Sequence, residues 1–349
     1  MKKAISLIFL IFISPSIFSQ IFVAENTMVR LDNEIDLSVT SNVNNNAIIE
    51  GTGFFKLTGG NMQSISGKGT FENLSVGKNG GTAEIISGNQ DVFRLFEIHG
   101  GTLKPNARLT LKSNDSLTAQ IGQNTGGTIT GDVIIERFIP KSNRAFRYFS
   151  SPVSTSGSIR KNLQEGQNNT GTNYPGDNIN NKPGFGTHIT GSETGAKGFD
   201  ATLSGNPSMF NWNASSQAWS TIGNTDIKKL SKAESFALLI RGSRATSLNS
   251  NTAVGPATTL RLTGNPAILS FSEQFSLTKD NSFILMGNPY HATIDANKVM
   301  QSNPGLNSNH IYVYDPTLNT RGGYATVELP GGSNAQGSVA NQFIQGWQA

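Results

Sequence analysis

A chain of 349 residues with a formal net charge of +4 and only 14% charged side chains carries no electrostatic footprint for nucleic acid. It has no cysteine, which excludes disulfides, thiolate metal sites and a cysteine nucleophile, and leaves core burial and sheet pairing to hold the fold. The 38 glycines, with abundant Asn and few strong helix formers, predict an all-β protein of short strands bounded by turns.

Residues 1–19 read as a secretory signal peptide. Lys2 and Lys3 precede the apolar run 4–13, Pro15 and Ser16 break it, and the small Ser19 suits a cut that leaves Gln20 first. The run is shorter than the ~20 residues a membrane span needs, so no transmembrane segment is expected after its removal. Loss of the two lysines lowers the net charge from +4 to +2. The mature length accommodates two domains.

Residues 20–130 read as the first, repetitive domain. Phe54-Phe55-Lys56-Leu57 runs into Thr58-Gly59-Gly60-Asn61, and Phe71-Glu72-Asn73-Leu74-Ser75-Val76 into Gly77-Lys78-Asn79-Gly80-Gly81. Val92-Phe93-Arg94-Leu95-Phe96-Glu97-Ile98 ends in His99-Gly100-Gly101, and Leu109-Thr110-Leu111 in Lys112-Ser113-Asn114. Strands ending in Gly and Asn corners at roughly 20-residue spacing predict a parallel β-helix whose coils bury their inward side chains on one another. The spacing is uneven, and an antiparallel β-sandwich is the alternative. Asp32, Glu34 and Asp36 alternate, so on a strand they share one face. Such a face is commonly a solvated edge that discourages pairing with another chain; the alternative is a set of oxygen ligands for Ca2+.

Gly126-Gly127-Thr128-Ile129-Thr130-Gly131-Asp132 marks the junction to a second domain, 131–349. Its strands are predicted at 133–135, 146–149, 235–240, 259–262, 283–286, 311–314 and 324–329, with 210–212 and 219–222 as a hairpin and one short helix over 295–301 capped near Asp295. Many short strands joined by turns predict a β-sandwich or jelly roll. The polar stretch 163–199 is long for a plain connection, and loops of that length are usually functional or mobile.

Several motifs in this domain agree with one another. They are Glu136-Arg137-Phe138-Ile139-Pro140, Phe146-Arg147-Tyr148-Phe149-Ser150-Ser151-Pro152-Val153, Gly287-Asn288-Pro289-Tyr290, and Asp315-Pro316-Thr317-Leu318 leading to Thr320-Arg321-Gly322-Gly323-Tyr324. In that order and spacing they resemble a module of large secreted surface proteins of gliding and environmental Bacteroidetes, over roughly residues 136–349. The resemblance implies export, and it usually goes with a C-terminal type IX secretion sorting domain; it attaches no activity. Against that pattern the chain stops inside the strand that begins near Gln342-Phe343-Ile344, without the sorting domain. The resemblance therefore implies a truncated product or gene fragment, incomplete at its C-terminus, with a diverged short relative as the alternative. It would be periplasmic as it stands, where full-length relatives are extracellular. Missing final strands should leave Phe343, Ile344 and Trp347 uncovered.

Residue types that carry chemistry are sparse. His99, His188, His291 and His310 are scattered, and no pair has the helical spacing of a zinc protease. Gly191-Ser192-Glu193-Thr194-Gly195 fails as a nucleophile elbow because the serine directly follows the first glycine. A polysaccharide-cleaving β-helix would need Glu84, Arg94, Glu97 and His99 gathered on one sheet face. Tyr174, Trp212, Trp219 and Tyr290 could stack on sugar rings, with hairpin and core packing as the plainer use. Asp115-Ser116-Leu117 resembles the short acceptor pattern for O-linked glycans in exported Bacteroidetes proteins, which points to Ser116. No catalytic, cofactor or metal residue is assigned. The expectation is a non-enzymatic exported surface or adhesin-like protein whose partners are glycans or cell-surface components. The alternatives are a glycan-binding module of a polysaccharide-utilising system and a β-helix enzyme acting on polysaccharide.

Overall fold

The computed structural model describes residues 20–33, 35–170, 179–249, 254–277, 279–307, 309–319, 322–331 and 343–349. Residues 1–19, Glu34, Tyr174, Thr320 and Arg321 lie outside the described residues. The chain is all-β with very little helix: a parallel solenoid of about six turns over 20–135, then antiparallel sheets.

Each turn offers three strand positions. The first is built from Gln20–Val23, Asn42–Asn45, Gln63–Ser66, the later parts of Thr70–Ile85 and Gln90–Lys104, and Thr128–Ile129. The second stacks Met28–Arg30, Ile48–Glu50, the starts of the two long strands, Leu109–Leu111 and Val133–Ile139. The third stacks Leu37–Val39, Phe55–Gly59, the middles of the long strands and Gln120–Ile121. Because register is parallel, inward residues form columns. Val29, Ile49, Phe71, Val92, Leu111 and Ile135 follow one another in the second position, and Val39, Leu57, Val76 and Ile98 in the third. All but the partly buried Val29 in the first coil are enclosed. Burial of each such side chain contributes about 1.5–3 kcal/mol, and no disulfide is needed.

The corners explain the residue types that punctuate the repeat. A backbone that turns between sheets leaves carbonyls without ladder partners, and they must be satisfied when buried. Asn73 donates to the carbonyls of Gly51, Thr52 and Gly53 at 3.1, 3.3 and 3.2 Å. Gln90 donates to Ser66 and Gly67 at 3.1 and 2.8 Å, and Gln63 to Val39 and Ser41 at 2.8 Å each. Lys78, only 3% exposed, caps Thr58 O at 3.0 Å and Gln63 Oε1 at 2.6 Å; burial lowers its pKa. At Gly88, φ is +69° and a methyl group would sit 1.9 Å from the carbonyl oxygen of Gly67 one turn below. The uneven spacing also has a cause. First-position partners Ala83 and Leu103 are 20 residues apart, whereas Leu103 and Ile129 are 26 apart. The last turn houses the extra loop closed by the Ser113–Thr118 bridge.

The solenoid sheet continues past 126–132 into the second region. Val133–Ile139 pairs parallel with Leu109–Leu111 on one side and antiparallel with Thr258–Pro266 on the other, and Thr258–Pro266 then pairs with Val153–Thr155. A four-stranded antiparallel sheet, in the order Ala145–Ser150, Ser235–Ile240, Met209–Asn213, Ala218–Thr221, turns Phe149, Phe236, Leu238 and Met209 into the same apolar core as Leu260, Leu262 and the solenoid columns. His310–Asp315 and Gly323–Glu328 form a separate hairpin. The short helix Ala296–Gln301 is capped by Asp295, whose carboxylate accepts from Asn297 N at 3.0 Å. The expected strand at 283–286 is absent, and a second short helix, Ile159–Leu163, occurs after Ser158.

The expectation of an uncovered Trp347 needs correction, while Ile344 is half-buried. Trp347 is 1% exposed. The backbone around it is knotted to the Gly-Asn-Pro-Tyr turn and to the edge of the four-stranded sheet. Ser150 N donates to Trp347 O at 3.2 Å, Asn288 N to Gln348 O at 3.1 Å, and Asn288 Nδ2 to Ile344 O at 3.2 Å. Phe343–Ile344 pairs with Ile294–Asp295; the Phe343 side chain lies outside the described residues. The local pairing of 343–349 thus covers Trp347, an arrangement that hydrophobic pattern alone does not reveal.

One core shared by solenoid and sheets predicts one unfolding transition. Phe71→Ala, in the middle of a column with its ring 5.1 Å from that of Phe55, should cost about 3–5 kcal/mol, and Leu262→Ala about 2–5 kcal/mol. Calorimetry should show both lowering the same single endotherm. Two endotherms shifted separately would show that the regions melt independently.

Candidate functional site

The outward face of the four-stranded sheet is aromatic. Alternation along Ala145–Ser150 sends Phe149 into the core and Phe146 and Tyr148 to the opposite face. Cross-strand register puts Ala237 and Phe210 beside Tyr148, and pairs Trp212 with Trp219. The small Ala237 leaves room for large rings to meet above it. Tyr148 lies 5.2 Å from Trp219, which packs edge-on to Trp212 at 5.2 Å.

The hairpin extends this face. Tyr314 stacks on Tyr148 at 4.7 Å with an interplanar angle of 18°, and Tyr324, opposite Tyr314, meets it at 5.3 Å. Hydroxyls of Tyr148 and Tyr324 are hydrogen-bonded. Burial first, and then the Tyr324 hydroxyl, raise the pKa of Tyr148; Tyr314 is raised by the same two causes. Trp212 Nε1 donates to Phe283 O at 3.0 Å, and the Gln217 side chain clamps the Phe283 backbone, donating at 2.9 Å and accepting at 2.8 Å. Phe283 in turn meets Tyr312 edge-on at 5.6 Å. The result is a shelf of two ring groups, joined by the hydrogen bond from Trp212 to the Phe283 backbone. Exposure is 39% at Trp219, 49% at Tyr312, 56% at Tyr324 and 57% at Phe283.

Of the aromatics singled out in the sequence, Trp212 and Trp219 sit together on this shelf. Tyr290 does not: its hydroxyl accepts from Phe271 N at 3.0 Å and donates to Leu269 O at 3.2 Å, pinning a loop. Tyr174 lies outside the described residues. Tyr148, Tyr312, Tyr314, Tyr324 and Phe283 were not singled out. Period-2 alternation within Phe146-Arg147-Tyr148-Phe149 was the signal available for Tyr148.

The other candidates disperse. Asp32 pairs with Arg30 at 2.6 Å and Asp36 with Lys56 at 2.5 Å; Glu34 lies outside the described residues. Among the described residues no group of three or more His, Cys, Asp or Glu is placed to hold a metal ion. Glu84 pairs at the first strand position and Glu97 at the third, so Glu84, Arg94, Glu97 and His99 do not gather on one face. His99 bonds Glu97 at 2.8 Å and Thr125 at 2.9 Å, and Arg94 lies 3.5 Å from Glu72. Ser116 is exposed at the tip of the extra loop, its hydroxyl 3.2 Å from Asp115 Oδ1. No described helix is long and apolar enough to cross a membrane.

A second polar cluster is closed to solvent. Asp200, fully buried, accepts from Arg244 at 2.8 and 3.0 Å, Gln164 at 3.1 Å, and the backbone of Asn169 and Ile189 at 2.8 and 3.0 Å. His188 Nδ1 lies 3.3 Å away. Burial opposes ionisation of Asp200, but His188 and Arg244 outweigh it and hold the carboxyl below the usual range. This knot ties the 164–200 excursion to the sheet; with every member buried it offers a substrate no access.

No protein-family model, no curated protein and no solved structure matches the chain.

His291 supplies a pH prediction. It is 2% exposed, and burial first, then the Arg137 charge, push its pKa down to about 3 from an ordinary value near 6.5. The unfolded chain therefore binds a proton that the folded chain refuses between those values. Stability is full above pH 6.5 and is lost as pH falls toward 3. His291→Phe should flatten the urea midpoint against pH over that window; an unchanged slope would assign the acid sensitivity elsewhere.

Proposed function

We propose that the chain is an exported, non-catalytic, adhesin-like binding protein, in which the solenoid is a stalk and the aromatic shelf is the surface that meets a glycan. The shelf carries this reading. Rigid aromatic rings with apolar faces and polar tips bind extended ligands at low entropic cost, and sugar rings present apolar C–H faces of matching size. The shelf is open, with four of its rings more than a third exposed, as suits a chain laid across it better than a small enclosed substrate. An open cleft of about 610 Å3, lined in part by Asn211, Thr221, Ile227 and Lys228, lies beside it. The leader-like start and the likeness of 136–349 to secreted Bacteroidetes surface modules support export and a place at the cell envelope.

A glycan array probed with the mature chain tests the reading. Ligands found there should lose about tenfold or more in affinity with Trp219→Ala or Tyr324→Ala, as for centrally placed aromatic contacts. Tyr290→Phe should bind as the parent does. Absence of any glycan ligand, or binding indifferent to both shelf substitutions, would defeat the proposal.

A further inference from the structure

A patch of buried positive charge lies at the end of the four-stranded sheet. Arg144 precedes the strand Ala145–Ser150 and Arg241 follows Ser235–Ile240; since Ala145 pairs with Ile240, the two guanidinium groups come together. They are 5% and 6% exposed. Arg144 uses only Nη2, donating to Ser247 O at 2.8 Å, and Arg241 only Nη2, reaching Thr190 Oγ1 at 3.4 Å. Nε and Nη1 of both arginines are buried without a hydrogen-bond partner.

Among the described residues the charges here do not balance. Arg144, Arg241 and Arg244 are all enclosed; Asp200 is taken up by Arg244, and the buried Glu165 pairs with Arg261 and Lys182. The Asp200 oxygens are already occupied by Arg244, Gln164 and two backbone amides. Burial and then Arg144 lower the pKa of Arg241 to about 10, against the opposing pull of Asp200. Buried like charges with open donors are costly unless an anion lies between them, and paired guanidinium edges suit the oxygens of sulfate, phosphate or a carboxylate.

We propose that Arg144 and Arg241 form a binding site for one small oxyanion. Ser247, whose carbonyl Arg144 grips, is itself exposed, so the site lies just below the surface and a free ion can reach it. Both guanidinium groups are too enclosed for an anion carried on a bulky sugar to enter as readily.

Thermal melts of the mature chain, with inorganic sulfate titrated against fluoride at constant ionic strength, test the site. The midpoint should rise saturably, by about 4 °C with the ion in hundredfold excess over its Kd. General salting effects rise without saturating. Arg241→Met should lose the saturable part and, without sulfate, melt no lower than the parent, because one buried like charge is gone. A merely structural arginine would lower the melt in both buffers. A response to galactose 6-sulfate equal to that for sulfate would assign the anion to a glycan; a response to sulfate alone assigns it to a free ion. No saturable response to either, or the same response in Arg241→Met, overturns the site. Should the variant not fold, calorimetric titration of the parent with sulfate decides: one site per chain supports the proposal, and no heat of binding overturns it.

Discussion

In-register parallel stacking is the constraint on which the molecule depends. A side chain in one coil is covered by its counterparts in the coils before and after, so each inward position must be of a size its neighbours accept, and either apolar or hydrogen-bonded within the coil stack. The column through Phe71, Val92, Leu111 and Ile135 does not end with the solenoid. Ile135 pairs onward to Leu262 in an antiparallel strand, and the core passes from one architecture to the other without a gap. The parallel part therefore closes at that end on strands of the same chain instead of on solvent. The antiparallel sheets inherit a fixed platform, which holds the aromatic face in a set relation to the solenoid.

The polar interior follows from the same stacking. Three corners per turn leave carbonyls that no ladder bond reaches, and they recur at the same place in each coil. Asn73, Gln63, Gln90 and Lys78 answer them from within, each satisfying the coil before its own. Such groups are costly if half-satisfied, which ties corner chemistry to coil register: a slip by one residue would strand every amide together. The motifs at 136–140 and 287–290 do similar work between regions. Glu136 accepts from Lys112 at 2.8 Å, and Arg137 donates to Gln345 at 3.0 Å.

Much of this was legible from residue order. Leu109–Leu111 and Ser235–Ile240 match their expected bounds, because a short apolar run between turn residues has few other uses. Phe210-Asn211-Trp212 and Trp219 announced a hairpin by their turn. The parallel coil was readable from recurrent Gly and Asn corners. The aromatic shelf was only half legible. Trp212 and Trp219 stood out by type, but Tyr148, Tyr314 and Tyr324 meet them only through pairing across a long sequence separation, which no local pattern encodes. Phe283 was expected in a strand; its backbone is instead held by Gln217, and a side-chain clamp leaves no periodic trace. The burial of Trp347 depends on Asn288 and Ser150, far away in sequence, and local pattern carries no sign of it.

The two ends of the solenoid are unlike. At the sheet end, the last coil is hydrogen-bonded to antiparallel strands. At the other, Gln20–Val23, Met28–Arg30 and Leu37–Val39 each pair with the next coil on one side only among the described residues, and Ile21, Val29 and Leu37 are only partly buried. In a linear array of nearest-neighbour contacts, this makes local opening directional. Amide protons in the first coil should exchange by fraying, and the free energy of opening should climb rung by rung toward Leu111 and Ile135. Folding has the opposite sense: the anchored end is the natural nucleus, and coils are added away from it, toward the part of the chain that left the ribosome first.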